Sequence, residues 1–454
     1  MFRAITNVPH VPRSRAFLDA RALIRNPVSI FEKYRRQLGP TFTFHLGGAK
    51  PVIVTTDPGF VQHVLQKNWG NYHMSDIRVK RMAEFQGHGL LNSHGEAWLR
   101  KRRFLGQGFQ PSRLAELFPV QEKVLEDSLA EFDNECARGS LDMYRVMVGF
   151  TFRLVGKSIF GSRLTDAEIE QLGSAITTIQ AFMVRQVVQP YKIPWFRISG
   201  QTRRYQQVRA AGDQIARAYI SGRPQMSGAE GGDLLELMLE TPWEESGETM
   251  SKEQVLIECM QLLVAGNETS PVALSWTLYL LARYPRFISE MREEISSAFG
   301  DGRITFAGLA RLHLTLQVLN EGMRLFPSFW MIDRVALEDD EIDGVHIPAG
   351  LTVVPYIYGM HRNPDVWHDP ESFDPSRFGD EARKDRNPFA FIPFGGGPRK
   401  CIGSNMGMMQ MLLILATFVR RYDFELVKNA EVEIDPMFIL RPKTAIGMRV
   451  RRRA

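Results

Sequence analysis

The 454-residue chain holds only three cysteines, Cys136, Cys259 and Cys401, an odd and widely scattered set. That argues against a disulfide framework and favours a reducing cytoplasm. Long hydrophobic runs are missing as well. The most apolar stretch beside a helix, "MLLILATFV" from Met411, falls far short of the roughly 20 residues that cross a bilayer. A buried core helix is expected there, and no membrane span. The first residues, "MFRAITNVPHVPRSRAFLDARALIRNP", lack the apolar centre of a signal peptide. No Gly/Ser-rich or Pro-rich linker, repeat or low-complexity tract interrupts the chain, which points to one large domain over residues 1–454. Neither sign of charge dominates, since the net charge is only +5. The basic "RVRRRA" tail reads as a solvated end, and no nucleic-acid groove is expected. The ten histidines show neither HExxH nor any paired ligand spacing, so none is assigned to a metal, and His361 in "HRNPDVW" reads as structural.

What is present is the composition of a folded protein with ample core, 44% hydrophobic and 24% charged. Near the start, "TFTFHL" and "PVIVTT" flank Gly47-Gly48 as a hairpin would. Asp57-Pro58 then caps a helix ending near Gly70. A helical core is expected over about 93–326 and 401–421, and β-rich parts over about 41–56 and 330–356. The clearest helix opens at Ser251, where Ser251 and Gln254 have capping-box spacing, and continues to Tyr284-Pro285. The fold class is mainly α with a smaller β-rich lobe, α+β.

One short bend carries unusual chemistry. In "FIPFGGGPRKCIG" three glycines, a proline and two cations lead to Cys401, where a helix begins. Unpaired N–H groups and the positive end of a helix dipole favour negative charge there. Arg399 and Lys400 act in the same direction, toward the thiolate that ligates metal. The glycines let something flat and bulky approach the backbone. Taken locally, three other readings stay open: a small buried hydrophobe, a phosphate loop without Walker spacing, and a nucleophile needing a histidine partner.

The same stretch resembles the haem-binding signature of the cytochromes P-450, and the likeness extends over nearly the whole chain. Phe394, Gly397, Arg399, Cys401 and Gly403 stand at the signature's spacing. The resemblance implies a P-450 fold, with haem between the long central helix and the helix following the cysteine loop. It makes Cys401 the axial ligand of the haem iron, with Phe394 beside the sulfur and Gly403 allowing that helix close to the porphyrin. In "EGMR" and "FDPSRF" it assigns Glu321, Arg324 and Arg377 to a buried structural network, although Ser376 replaces the usual glutamate. In "HGEAWLRKRRF" Trp98 and Arg102 lie one turn apart and, with Arg334 and Arg399, match donors to the haem propionates. In "AGNETS" Ala265 and Gly266 leave space for dioxygen, while Glu268 and Thr269 are the acid and alcohol that deliver protons. Asn267 stands where many relatives carry histidine. Pro271 cannot donate to the Asn267 carbonyl, so a bend and an opened carbonyl are expected there.

The implied activity inserts one oxygen atom from O2 into a lipophilic or medium-sized organic substrate, by hydroxylation or oxidative demethylation. The cofactor is haem b, iron protoporphyrin IX, with electrons from NAD(P)H through a separate ferredoxin or flavodoxin and its reductase. A soluble, bacterial, cytoplasmic monomer is expected, with no fused flavin or iron–sulfur module. A peroxide-using peroxygenase and a non-catalytic haem-binding protein are the alternatives, and Glu268-Thr269 argues against both. Candidate pocket residues are Phe182, Met183, Val264, Phe329, Trp330, Met331 and Ile332, which by type could equally be core. Arg185 is a candidate carboxylate anchor. If Trp98 and Arg102 face haem, Arg100, Lys101 and Arg103 point elsewhere around the helix. With Lys400 they form a basic docking face for an acidic partner.

Overall fold

The fold is taken from a computed structural model, which describes residues 8–46, 50–137, 139–161, 163–222, 233–244, 246–427 and 431–453. In chain order the elements used below are α1 (Pro27–Leu38), β1 (Thr41–Leu46), β2 (Lys50–Thr55), α2 (Pro58–Gln62), β3 (Tyr72–His73), α3 (Asp76–Gln86), α4 (Gly95–Gly106) and α5 (Pro111–Cys136). Then come β4 (Ser140–Asp142), α6 (Met143–Phe160), α7 (Asp166–Val188), α8 (Ile193–Ile198), α9 (Gln201–Gly222) and α10 (Lys252–Arg283). The remainder is α11 (His313–Leu325), β5 (Arg334–Ala336), β6 (Asp340–Ile342), β7 (Val345–Ile347), β8 (Thr352–Pro355), α12 (Ser404–Arg421), β9 (Tyr422–Leu426) and β10 (Gly447–Arg452). Helix dominates and the sheets are small, an α+β fold.

The chain divides into two compact units. The first comprises residues up to Asp76, Leu316–Cys401 and Val432–Thr444. Its sheet has the order β1-β2-β8-β5-β3, with β2 and β8 parallel and the other pairs antiparallel. Along β1 and β2, Phe42 faces Val54 and Phe44 faces Val52. The Gly47-Gly48 turn expected between them lies outside the described residues. Simple alternation is lost because both faces of this sheet are covered. Phe42, Phe44, Val52 and Val54 pack with Phe31 of α1 and Tyr356. Ile53 and Val353 face the other way, against Phe60, Leu65 and Phe389. Asp57 caps α2 by accepting from the Phe60 N–H at 2.6 Å. Beyond α2 the chain widens into a single π-helical turn, His63–Lys67. Strands β6 and β7 form a hairpin whose two turn residues, Asp343 (φ 51) and Gly344 (φ 77), have the paired positive φ of a type I′ turn.

The second unit comprises Ile77–Thr315, Ile402–Glu431 and Ala445–Ala454. Helix α10, 32 residues long, extends ~48 Å at 1.5 Å per residue. Its N-cap, Ser251, accepts from the Gln254 N–H at 3.3 Å. The reciprocal arm of a capping box is missing, because the Gln254 side chain turns to Glu258 instead, at 2.6 Å. From Pro271 to Leu281 every residue of α10 is buried, which makes it the axis of this unit. No described helix is long and apolar enough to cross a membrane. A three-stranded sheet, β4-β10-β9, closes one edge.

Candidate functional site

The cysteine loop is shaped by its glycines. Gly395 (φ 72) and Gly397 (φ 66) take left-handed conformations that other residues resist. At Gly397 sterics add a second demand, since a Cβ would overlap the carbonyl oxygen of Leu65 and lie 2.7 Å from its carbon. The Lys400 N–H donates to the Gly397 carbonyl at 3.0 Å, and the Cys401 N–H to the Phe394 carbonyl at 2.9 Å. Cys401 is thereby presented three residues ahead of α12, exposed and in no disulfide. The Ile332 side chain lies against the open side of Gly395. A Cβ on Gly403 would make only ordinary contact, 3.6 Å from Phe109. Arg399 is half-buried, and Arg334 is buried on β5, donating to the Asp333 carbonyl at 2.8 Å.

In the same unit, Glu321 and Arg324 form a wholly buried two-point pair, at 2.7 and 2.8 Å. The remaining guanidinium hydrogens reach the carbonyls of His361, Pro370 and Ser372. Glu321 also accepts from the Asp374 N–H at 2.9 Å, and Arg377 Nε stands 3.5 Å away. Burial pushes the Glu321 carboxyl up, opposed by Arg324 and that N–H. One helical turn of α11 thus pins a long irregular segment that has no ladder of its own. His361 is also wholly buried, and burial followed by the nearby Arg324 and Arg362 drives its pKa down to about 3.

In the second unit, Leu262, Ala265, Gly266 and Thr269 are half-exposed in the middle of the otherwise mostly buried α10. Their spacing, i, i+3, i+4 and i+7, places them on one face. Thr269 donates to the Ala265 carbonyl at 2.9 Å, and Glu268 is buried. Gly266 has a packing duty that the sequence does not reveal. A Cβ there would sit 2.8 Å from Val155 Cγ2, so the glycine lets α6 approach α10. Asn267 is buried and turned to α7, donating to Thr177 Oγ1 at 3.1 Å. Gln180 of α7 donates in turn to the Val264 carbonyl at 3.5 Å. Helix α10 is continuous through Pro271.

Helix α4 carries Trp98, buried, and Arg102, half-buried, one turn apart. Of its basic neighbours, Arg100 is exposed and Lys101 half-buried. Lys101 Nζ lies 3.2 Å from Glu258 Oε1 and donates to the His88 carbonyl at 2.7 Å. Arg100 stacks over Trp243 at 4.3 Å. Arg103 is exposed. Glu258 belongs to a clamp that sequence reasoning missed. Its Oε2 accepts from the Leu90 N–H at 2.9 Å, and Gln261 Oε1 accepts from the Leu91 N–H at 2.9 Å. Gln261 Nε2 donates to Asn92 Oδ1 at 3.1 Å. The signal was two buried polar residues one turn apart on an apolar helix, which demand partners.

Of the expected pocket residues, Phe182 is instead core. It stacks on Tyr205 at 4.0 Å and meets Phe85 and Phe196 edge-on. Met183 is buried in the same cluster. Trp330 is likewise core in its own unit, donating to the Met437 carbonyl at 3.3 Å beside Phe31 and Tyr356. Large apolar residues fill whichever gap the backbone offers, so residue type did not separate pocket from core. Phe329 and Met331 remain half-exposed, and Val264 lines a small cavity with Gln86 and Met260. Arg185 is exposed and stacks on Phe196 at 5.3 Å.

In the first unit, an exposed cysteine at the end of a glycine-shaped loop suits a soft metal ion, and the bare glycine backbone suits a flat group beside it. In the second unit, taken by itself, the middle of α10 carries small, half-exposed residues on one face. Among the described residues no cluster of histidine, cysteine and carboxylate groups offers a competing metal site.

Comparison with known proteins agrees. The family model described as Cytochrome P450 matches residues 10–447. Putative cytochrome P450 132 of Mycobacterium tuberculosis is 31% identical over 90% of both chains. Cyclooctatin synthase of Streptomyces melanosporofaciens is 28% identical over 87% of this chain and 85% of its own. The crystal structure of cytochrome P450DA heme domain superposes with a TM-score of 0.87 at 23% identity, covering 100% of this chain and 98% of that one. That last likeness concerns the fold.

Proposed function

The chain belongs to the cytochrome P450 family and is a haem-thiolate monooxygenase using O2 and electrons from a redox partner; from that premise we propose that the Cys401 sulfur would hold the haem iron. Haem, when bound, supplies an iron whose thiolate ligand favours O–O cleavage. The chain's own groups do the rest. The loop closed by Cys401 N–H and Phe394 C=O holds the sulfur in place before the cofactor arrives. Trp98, Arg102, Arg334 and Arg399 supply N–H donors for two propionates, and a guanidinium fork suits a carboxylate. Ala265 keeps its face of α10 open. Thr269 donates to a backbone carbonyl and keeps oxygen lone pairs that accept a further proton donor, while Glu268 stores the proton to be passed on.

The substrate is a lipophilic or medium-sized organic molecule, hydroxylated or oxidatively demethylated. The half-exposed Phe329, Met331 and Val264 support that choice. The cofactor is haem b, and a ferredoxin or flavodoxin with its reductase carries electrons from NAD(P)H. The protein works as a monomer in the cytoplasm.

The observation that carries this reading is the Cys401 loop, whose two left-handed glycines and closing hydrogen bond leave a thiol exposed at a helix start. In Cys401→Ser a serine oxygen cannot donate as a thiolate does. The red-shifted Soret band of the ferrous carbon monoxide complex should vanish; a variant keeping that band would remove Cys401 from the role. Product formed with O2 and a reduced partner, and not with peroxide alone, separates the monooxygenase from a peroxygenase.

A further inference from the structure

We propose that Asp340 is a positioning residue for Cys401, acting through the π-helical turn His63–Lys67 and Gly397; this rests on Cys401 being the thiolate ligand. Asp340 lies at the start of β6, where its carboxylate collects four donors. His63 Nε2 at 2.9 Å, Asn68 Nδ2 at 3.0 Å and Tyr72 Oη at 2.7 Å all reach Oδ2. The Glu341 N–H reaches Oδ1 at 2.9 Å. Burial pushes this carboxyl up, but the donors outweigh it and hold it below the usual range. Hydrogen bonds to an ionised acceptor are about twice as strong as neutral ones.

Three of the four donors come from one stretch, residues 63–72, so a single carboxylate fixes that stretch at both ends and near its middle. The β6–β7 hairpin has no need of this carboxylate, because Asp343 and Gly344 already specify the turn. The stretch it holds begins with a π-turn closed from Asn68 N–H to the His63 carbonyl at 2.9 Å, a geometry rare enough to suggest a local purpose. The turn presents the Leu65 carbonyl to Gly397 so closely that no side chain fits between them. Gly397 in turn accepts the Lys400 N–H, one residue before the ligand. Val64, Leu65, Tyr72, Ile342 and Phe389 share one apolar cluster, which transmits a shift of the turn to the loop. Loosening Asp340 therefore lets Gly397 move, and Cys401 Sγ with it.

The test uses the haem-loaded full chain. Asp340→Asn keeps the shape but removes the charge that gathers the donors. The ferrous carbon monoxide complex of this variant should convert from its long-wavelength to its short-wavelength form roughly tenfold faster, the low end of what losing an outer-shell partner costs a metal site. The iron's reduction potential should shift too. His63→Gln should act in the same direction, and combining the two should add little, because both act through one carboxylate. Phe44→Leu, on the opposite face of the sheet, should lower Tm without changing conversion rate or potential. The proposal fails if Asp340→Asn keeps the wild-type rate and potential, or if Phe44→Leu moves both equally. Should Asp340→Asn not fold, an unchanged rate in His63→Gln overturns it. A wild-type chain lacking the long-wavelength band would instead sink the ligand assignment.

Discussion

The ring of His361, wholly inside the protein, accepts a hydrogen bond from the Ile392 N–H at 3.1 Å. That bond steadies the chain just ahead of the cysteine loop, and it needs the neutral imidazole. The folded pKa is about 3, while the unfolded chain returns to about 6.5. Below about 6.5 the unfolded chain takes a proton that the folded one refuses. Stability from this group is therefore whole above about 6.5 and is lost as pH falls toward about 3. Between pH 7 and pH 5 the loss is ~2 kcal/mol. His361→Gln should start less stable but lose less over that interval, read from urea midpoints at each pH. Parallel losses would clear His361 of the acid sensitivity.

Thr269→Ala removes a hydroxyl beside the uncovered face of α10 and leaves the helix ladder intact. Reduction and substrate binding should persist, while product per NAD(P)H consumed falls and peroxide rises, since a proton donor is lost. Coupling at the wild-type level would reduce Thr269 to a helix residue bonded to Ala265.

Arg324→Lys keeps the charge but loses the two-point pair with Glu321 and most of the carbonyl contacts. An ammonium offers three rotatable donors where the guanidinium has five in a fixed fork. Each buried acceptor left without its donor costs about 1–3 kcal/mol. The variant should show a marked fall in Tm and poor haem retention, measured by the haem-to-protein absorbance ratio. A shift within a degree of wild type would mean that water replaces the lost donors.

Lys400 is exposed beside Cys401, whereas Lys101 is committed to Glu258. Lys400→Glu should therefore slow reduction by an acidic partner roughly tenfold at low salt. The deficit should shrink near 0.1 M, where screening acts within about 10 Å. Lys101→Met should leave the salt slope of reduction nearly unchanged. Stopped-flow traces in which Lys400→Glu follows wild type at every ionic strength would remove Lys400 from the docking face.

The cysteine loop was legible because its information is local, with glycines, cations and sulfur within one short bend. The α+β class was legible for a similar reason, since long apolar periodicity and clustered short strands declare themselves. Glu321 and Arg324 were visible as neighbours on a helix, but their complete burial was visible only through the family likeness. Contacts distant in sequence stayed hidden. Leu90 and Glu258 are 168 residues apart, and His63 and Asp340 are 277 apart, so no window of sequence contains either pair. Gly266 shows a third limit. A small residue reads the same whether it makes room for a ligand or for a neighbouring helix, and here Val155 occupies the place a side chain would take.

The Glu258–Gln261 clamp sets how often the segment of residues 87–92 can swing away from α10. Its departure would break the Leu90 and Leu91 bonds together and leave one oxygen of a buried carboxylate without its donor, at about 1–3 kcal/mol. Each 1.4 kcal/mol makes such an opening about tenfold rarer. Traffic of molecules into and out of the second unit thus meets a closed door along this stretch, and amide exchange at Leu90 and Leu91 should be among the slowest in any loop of the chain. Breathing that admits a substrate belongs to segments tied down by fewer buried bonds.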